Sequence, residues 1–379
     1  FSKWGGDHMN EYSIYKEILY LLNNKEECLY KDVAKLVSPI KKETEIKALS
    51  EIITGLKLGS VRYTYDGKND VIKISDQQIC GEIKLRTDSE GFLDKMSIIP
   101  HVPDISNVES LKDAFLKLDA SFKIIFSRNG EKESFVNGEQ KNFAISSLVK
   151  IAITNAVYEA VNEKVIDLDS KIEIFSEDLS VLTAGLSEKN VGEHYSIKEL
   201  LSLMLLVSDN SAMDILIRVI GKDRIRDSLI NIASENHITL SNPNINPTKE
   251  IFGDAWCYDH SPESTWRDRA LKNVAWVKGL DYFIPLEMIV ILVNNIIKND
   301  WVPWDELKQT PAIIYKGGSA PGVLSALWST RHIKDGELSL IFSLNRTYPL
   351  TIIEELYIFE CANKLLTNIG MLNISEMRV

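Results

Sequence analysis

The chain has 379 residues, of which 45% are hydrophobic and 26% are charged, and its formal net charge at pH 7 is −11. This composition is typical of ordinary globular protein, and the length is enough for about two domains. The acidic balance and the lack of a long Lys/Arg block argue against a nucleic-acid-binding surface.

The beginning of the chain has the pattern of a small domain in which helices precede strands. We interpret residues 1–9 as a vector-derived leader and residues 10–105 as this domain. Helical periodicity and strand-like runs predict three helices over 13–23, 28–36 and 43–56, and four strands over 60–65, 70–74, 79–86 and 92–99. The order resembles the cystatin-like or nuclear-transport-factor-2-like (NTF2-like) α+β fold. No catalytic constellation occurs in it, so we expect it to pack beside a cleft or to mediate dimerisation.

The sequence gives no sign of export or of a membrane span. No basic segment with a small-residue cleavage site follows Met9, so we expect a cytoplasmic protein if Met9 is the native start. Removal of a signal peptide would instead indicate a periplasmic or extracellular one. The longest apolar stretch, 283–297, is interrupted by Pro285 and Glu287 and therefore predicts a packed helix.

The first motif with possible chemistry is Ser147-Leu148-Val149-Lys150. Ser-x-x-Lys also occurs from Ser13 and from Ser38, so the spacing alone has little weight. The copy at Ser147 opens an apolar run with a 3.6-residue period, which predicts a helix with Ser147 at its N-terminus. Backbone N–H groups there favour developing negative charge, and residues three apart share a face. Ser147 is a candidate nucleophile and Lys150 its candidate base.

The second motif, Ser208-Asp209-Asn210, lies at a predicted helix junction. Ser196 and Glu199 form a capping-box pattern that starts a helix whose apolar run ends at Val207, and the next helix begins near Ser211. Polar side chains at such a junction can project into a cleft. The alternative is that the tripeptide merely caps the second helix.

The third motif, Lys316-Gly317-Gly318-Ser319, follows a strand-like stretch and precedes a Pro-Gly turn with a further strand. Glycines beside a lysine let a ligand approach a strand edge closely. An ordinary hairpin with a surface lysine is the alternative.

Metal chemistry is not expected. The four cysteines form no CxxC pair, and the six histidines form no HExxH or HxH cluster. We therefore predict that the protein uses neither a metal nor another cofactor.

The three ordered motifs resemble those of the class A β-lactamase and penicillin-binding-protein-like serine hydrolase superfamily. The segments 122–127 and 133–136 are similar to the opening hairpin of that family, and 183–221 is similar to its central helical segment. The resemblance extends from about Leu111 to the C-terminus, so residues 106–379 are expected to form the hydrolase domain. It implies an α+β protein with a β-lactamase/transpeptidase-like sandwich, in which helices cover both sides of an antiparallel sheet.

The resemblance also implies roles for the motif residues. Ser147, Lys150 and Ser208 would be catalytic, with Ser208 passing a proton to the leaving group. The residues implied to bind substrate are Asn210, Lys316, Gly318 and Ser319. The backbone N–H groups of Ser147 and Ser319 would form the oxyanion hole. The implied partner is a small acyl substrate that bears a carboxylate, and the protein would be a monomer or a homodimer.

The chain departs from the family pattern in two places. Class A enzymes carry an Ω-loop glutamate that positions the deacylating water, but 241–250 contains no Glu-x-x-x-Asn pattern, and Glu250 and Glu263 are not matched to that position. Gly317 stands where the family has Thr or Ser. With the N-terminal domain, this version resembles the β-lactamase-like proteins of antibiotic-biosynthesis clusters, such as the clavulanate-pathway esterase-like protein.

Three functions therefore stay open. The first is a β-lactamase-family serine hydrolase that acts on a β-lactam or a related ester or amide. The second is a biosynthetic esterase or acyltransferase, or a penicillin-binding-type acyl enzyme, with poor β-lactam turnover. The third is a non-catalytic binding module.

The aromatic segment 241–268, which contains Trp256, Cys257, Tyr258, His260 and Trp266, could wall the pocket or pack as a surface loop.

Overall fold

The computed structural model describes residues 11–24, 30–57, 60–76, 79–253, 255, 273–307, 313–330 and 337–370. These residues divide into two compact units, one within 11–118 and 350–368 and the other within 119–349. The first unit thus extends beyond the predicted boundary at residue 105 and includes a segment near the C-terminus. The division into a domain over 10–105 and a hydrolase domain over 106–379 stays a prediction. The five aromatic-segment residues named above lie outside the described part of the chain.

The helices are α1 (Glu11–Asn23), α2 (Tyr30–Ala34), α3 (Glu43–Leu56), α4 (Val108–Phe115), α5 (Val149–Asn162), α6 (Ile197–Leu206), α7 (Asn210–Ile220), α8 (Lys222–Glu235), α9 (Thr248–Phe252), α10 (Leu286–Ile296) and α11 (Ile352–Asn368). The strands are β1 (Arg62–Asp66), β2 (Val71–Asp76), β3 (Ile79–Thr87), β4 (Leu93–Pro100), β5 (Ser121–Arg128), β6 (Glu131–Asn137), β7 (Lys171–Glu173), β8 (His194–Ser196), β9 (Ile313–Ala320), β10 (Val323–Thr330) and β11 (Leu338–Asn345). None of the described helices is both long and apolar enough to cross a membrane.

The first unit contains an antiparallel sheet in which β1, β2, β3 and β4 pair in chain order. Buried and more exposed residues alternate along β3, as expected for a sheet with one covered face. Ile14 and Ile18, one turn apart on α1, are completely buried and supply part of the core. The predicted three helices followed by a four-stranded meander are confirmed, whereas the cystatin-like or NTF2-like identity stays a prediction.

The second unit contains a five-stranded antiparallel sheet with the order β6-β5-β11-β10-β9. Almost every residue of β10 and β11 is buried, because these strands lie inside the sheet and both of their faces are covered. Helix α5 is buried nearly all round, from Val149 to Tyr158, so it is the central helix of this unit. The predicted α+β class is confirmed.

The edge strand β9 lies unusually close to the 3-10 turn Ser146–Leu148 that precedes α5. A Cβ atom added at Gly318 would lie 2.7 Å from the carbonyl oxygen of Ile145 and 2.8 Å from the backbone nitrogen of Ser147. Both are backbone atoms that cannot rotate away. The glycine at this position therefore permits the contact between the sheet edge and the start of α5.

We predict that Gly318→Ala destabilises the protein by about 1–3 kcal/mol, because the added methyl group must push strand and turn apart. Gly317→Ala is the matched control. Its added Cβ would meet only the hydroxyl end of Tyr315, at 2.5 Å, and that side chain is exposed and can rotate. Urea titration of the two variants checks the prediction; equal losses would contradict it.

Candidate active site

Ser147 lies in the 3-10 turn at the start of α5, as the apolar periodicity predicts. The residue before it, Ser146, has a φ of 47°, which is a left-handed conformation that a non-glycine residue adopts at a cost. The Ser146 hydroxyl donates to the carbonyl oxygen of Ser319 at 2.9 Å. The turn is thereby fixed against β9 and leaves Ser147 partly exposed at the surface of a pocket.

Lys150 is the centre of the site. Its side chain is completely buried, and its Nζ lies 3.2 Å from the Oγ of Ser147 and 2.9 Å from the Oγ of Ser208. It also donates to the backbone oxygen of Ser208 at 2.6 Å and to the Oδ1 of Asn210 at 2.8 Å. A single amine thus joins the first two sequence motifs.

The Ser208-Asp209-Asn210 segment forms the junction between α6 and α7, as predicted. Ser208 has a φ of 59° and is part-buried. Asn210 donates through its Nδ2 to the carbonyl oxygen of Val181 at 2.9 Å, while its Oδ1 accepts from Lys150. Its implied contact with a substrate amide stays a prediction.

Asp209 caps α7, as the alternative interpretation of this motif predicted, and it also makes contacts beyond that cap. Its Oδ1 accepts from the N–H of Ala212, which caps α7. Its Oδ2 accepts from the N–H groups of Ala184, Gly185 and Leu186 at 2.9, 2.6 and 3.0 Å. The completely buried carboxylate therefore fixes a neighbouring loop to the junction. The sequence predicts the capping role, but it does not predict the loop contacts.

Lys316 brings the third motif to the same point. Its Nζ donates to the Oγ of Ser208 at 3.0 Å and to the backbone oxygen of Gly317. The side chain is 3% exposed, so the alternative of a surface lysine is wrong. Ser208 thus lies between two lysine amines, each within hydrogen-bond distance of its hydroxyl.

Burial lowers the pKa of both lysines, because the charged form loses its hydration. For Lys316 the pKa falls to about 7. For Lys150 it falls well below the usual value, first through burial and then through the nearby charge of Lys316. A neutral amine has a lone pair and can accept a proton from a serine hydroxyl, which an ammonium group cannot do.

A pocket opens beside Ser147. The residues that line it are Ser146, Ser147, Val149, Leu182, Asn210, Met213, Thr248, Phe252, Tyr282 and Ser319. No carboxylate is among these described lining residues. Glu250 lies in α9 but its side chain is 3.9 Å from Lys222 and half exposed, and Glu263 is outside the described part of the chain.

The sequence interpretation missed the wall formed by Thr248 and Tyr282. The N–H of Thr248 donates to the Oδ1 of buried Asp214 at 2.6 Å, and the Tyr282 hydroxyl donates to the backbone oxygen of Asn246 at 2.9 Å. The Pro247-Thr248 step is a helix-start signal, but no local pattern indicates that α9 faces Ser147. Such contacts between distant segments arise only in the folded chain.

Comparison with known proteins agrees with this geometry. Residues 108–255 match the model of the beta-lactamase enzyme family. The crystal structure of the TLA-1 extended-spectrum beta-lactamase superposes with a TM-score of 0.50 at 15% identity, covering 69% of this chain and 97% of that one.

Two further solved structures have lower TM-scores. A beta-lactamase from Sphaerobacter thermophilus gives 0.45 at 20% identity, covering 70% of this chain and 97% of that one. The structure of PBP-A gives 0.45 at 16% identity, covering 72% of this chain and 100% of that one. A comparison with curated protein sequences found no match.

The likeness to the TLA-1 enzyme concerns the fold, and it agrees with the sheet order and helices described above. The family match independently covers the segment that contains Ser147, Lys150 and the Ser208-Asp209-Asn210 junction. Residues 108–255 therefore match the beta-lactamase enzyme family, and the chain has a β-lactamase-like fold.

Proposed function

We propose that this protein is a serine hydrolase that forms an acyl-enzyme through Ser147 and acts on a β-lactam or a related ester or amide. One observation supports this above all others. The completely buried Lys150 amine lies within hydrogen-bond distance of two serine hydroxyls, and one of these serines begins a helix at the edge of a pocket. A buried amine in this position is suited to general-base chemistry.

Acylation begins when the Oγ of Ser147 attacks the substrate carbonyl carbon and its proton passes to neutral Lys150. The bond between Ser147 Oγ and the carbonyl carbon forms as the carbonyl π-electrons move to oxygen. The resulting oxyanion would accept hydrogen bonds from the backbone N–H groups of Ser147 and Ser319, which is typically the largest electrostatic contribution to such a step.

The proton must then reach the leaving group. Lys150 can pass it to Ser208, whose hydroxyl is 2.9 Å away, and Ser208 can deliver its own proton to the departing nitrogen or oxygen. Lys316, 3.0 Å from the same hydroxyl, holds Ser208 in place and favours an anionic group nearby. We therefore propose a carboxylate-bearing substrate, with Asn210, Gly318 and Ser319 bordering it.

The residues available for deacylation favour a second candidate function. Among the described residues of the pocket wall no carboxylate is present to activate a water molecule, and Thr248 and Tyr282 occupy that wall. Burial raises the pKa of the Tyr282 hydroxyl well above its usual value, so it does not act as a base near neutrality. This arrangement favours a penicillin-binding-type or biosynthetic acyl enzyme that releases a β-lactam slowly.

A non-catalytic binding module is the remaining alternative. A degenerate site would be expected to lose the short contacts among Ser147, Lys150, Ser208 and Lys316, because burial of two amines costs stability and ligand binding alone does not need them to face the serine hydroxyls. The intact set therefore supports an enzyme. Failure of a fluorophosphonate probe to label Ser147 would favour the binding module instead.

We predict that mixing the protein with a penicillin, or with a cephalosporin that has no leaving group on its C3 side chain, gives an adduct whose mass increase equals the whole antibiotic. Opening of the β-lactam ring breaks the amide bond without loss of atoms. Ser147→Ala should abolish the adduct, with a rate loss of at least ~10³-fold, while circular dichroism shows an unchanged fold.

The matched control for that variant is Ser38→Ala, which removes the serine of another Ser-x-x-Lys copy and should leave labelling unchanged. Intact-protein mass spectrometry reads both variants. Labelling that persists in Ser147→Ala would contradict the nucleophile assignment. If neither antibiotic reacts but a fluorophosphonate labels Ser147, the substrate is a different ester or amide.

We predict that the β-lactam adduct, once formed, persists for minutes or longer, since the described pocket wall offers no carboxylate base. A mass time course after removal of excess antibiotic measures the clearance. Rapid clearance within seconds would contradict the slow-release candidate and would establish efficient β-lactam hydrolysis.

We predict that the acylation rate rises with pH, because Lys150 must lose its proton to act as a base. Lys316→Met removes a neighbouring positive charge, so the pKa of Lys150 should rise and the rising part of the profile should move to higher pH. Lys189→Met removes the same charge from an exposed side chain that makes none of the site contacts described above, and it should leave the profile in place. Identical shifts in both variants would contradict the electrostatic coupling.

A further inference from the structure

Asp281 is a buried carboxyl group beside the pocket that the proposed chemistry does not use. It is completely inaccessible to solvent. Its Oδ1 accepts from the backbone N–H of Ser146 at 2.8 Å and from that of Tyr282 at 2.6 Å. Its Oδ2 is buried and has no hydrogen-bond partner among the described residues. Burial of a half-satisfied carboxyl group costs stability, so its presence calls for a physical reason.

The group that Asp281 holds is the strained residue next to the proposed nucleophile. Ser146 has a φ of 47°, and its N–H is fixed by Asp281. The N–H of Ile145, one residue earlier, donates to the backbone oxygen of Tyr282 at 2.9 Å. Two consecutive N–H groups of the turn are therefore bound by residues 281 and 282.

The other side of the same turn is bound by the sheet. The Ser325 hydroxyl donates to the backbone oxygen of Ile145 at 2.7 Å, and the Ser146 hydroxyl donates to that of Ser319 at 2.9 Å. These bonds fix the carbonyl and the side chain of the turn. Tyr282 and Asp281 accept from the N–H groups of Ile145 and Ser146, and among the described residues Asp281 is the acceptor for the left-handed Ser146.

We propose that Asp281 is a positioning residue for the acylation step: it holds the Ser146 N–H so that the strained turn presents the Ser147 hydroxyl and N–H to the pocket. The inference rests on the proposed function of Ser147. Asp281 does not touch the reacting atoms, so its effect is on the rate of the bound complex and not on the binding of the substrate.

Ionisation of Asp281 makes the proposed positioning role depend on pH, which distinguishes it from a purely structural role. Burial raises the pKa of its carboxyl group to about 7, against hydrogen bonds from Tyr282 and Ser146 that lower it. The Tyr282 phenol is the titratable group coupled to it, and that phenol keeps its proton near neutrality. The ionised form is the stronger acceptor for the Ser146 N–H.

Stability should respond to pH in the opposite direction. The unfolded carboxyl group has a pKa near 3.8, whereas the folded one has a pKa of about 7. The folded state therefore binds the proton more tightly, and its stability falls as pH rises from about 4 to about 7. Ionisation favours the geometry of the turn and at the same time weakens the fold.

The test uses a fluorophosphonate probe on the full chain, so that it does not depend on the identity of the natural substrate. Ser147 Oγ forms a bond to phosphorus, fluoride leaves, and the hydroxyl proton passes to Lys150. Varying the probe concentration separates the binding constant from the maximal labelling rate. We expect Asp281→Ala to lower the maximal rate by about 10- to 100-fold and to change the binding constant less than about threefold.

Asp281→Asn keeps an acceptor oxygen for the Ser146 N–H but cannot ionise. It should retain the maximal rate within about fivefold of the unmodified protein. The melting temperature of Asp281→Asn minus that of the unmodified protein should increase as pH rises from 5.5 to 8. If Asp281→Ala does not fold, Asp281→Asn alone decides. A tenfold or greater rate loss in Asp281→Asn, or a pH-independent difference in melting temperature, would overturn the proposal.

The labelling results distinguish a wrong assignment of Ser147 from a wrong assignment of Asp281. If the unmodified protein and every variant remain unlabelled, the proposed function itself is wrong. If the unmodified protein is labelled and Asp281→Ala is labelled equally fast, Ser147 is a nucleophile but Asp281 does not position it.

Discussion

The burial of the Lys150 amine is the constraint on which the rest of the second unit depends. An ammonium group without water is costly, and an amine can be kept in such a place only if acceptors surround it. Those acceptors come from both sides of the α6–α7 junction and from the start of α5 itself. Because α5 is enclosed on nearly every side, the lysine cannot turn toward solvent. The central helix, the junction and the edge strand must therefore all be in place before the site exists.

Backbone strain is concentrated at the same point. Ser146 and Ser208 both adopt left-handed φ angles although neither is glycine, and each such residue costs on the order of 1–3 kcal/mol. Two buried carboxylates hold these positions. Asp209, next to Ser208, is saturated by N–H donors, and Asp281 accepts from Ser146 itself. The fold thus compensates locally for the conformations that bring the two serines to one amine.

The pKa values of two buried groups in the second unit lie close to neutrality. Burial lowers the pKa of Lys316 to about 7 and raises that of Asp281 to about 7. Linkage gives these shifts opposite signs. Stability rises with pH above about 7, where the unfolded lysine alone keeps its proton, and falls between about 4 and 7, where the buried carboxyl alone keeps its proton. Such perturbed groups cluster where charge must change during a reaction, which agrees with an acyl-transfer site.

Local sequence patterns were enough to predict the elements that carry the three motifs and the place of each motif on them. Apolar periodicity fixed α5 with Ser147 at its beginning, and the capping box at Ser196 fixed α6, because these signals depend on neighbours within one or two turns. Four features could not be predicted in this way and are seen in the folded chain: Lys316 is buried, Asp209 binds a second loop, Thr248 and Tyr282 line the pocket, and Asp281 accepts the N–H of Ser146. These contacts join residues far apart in the chain, and their energies come from desolvation and hydrogen bonding that no local pattern records.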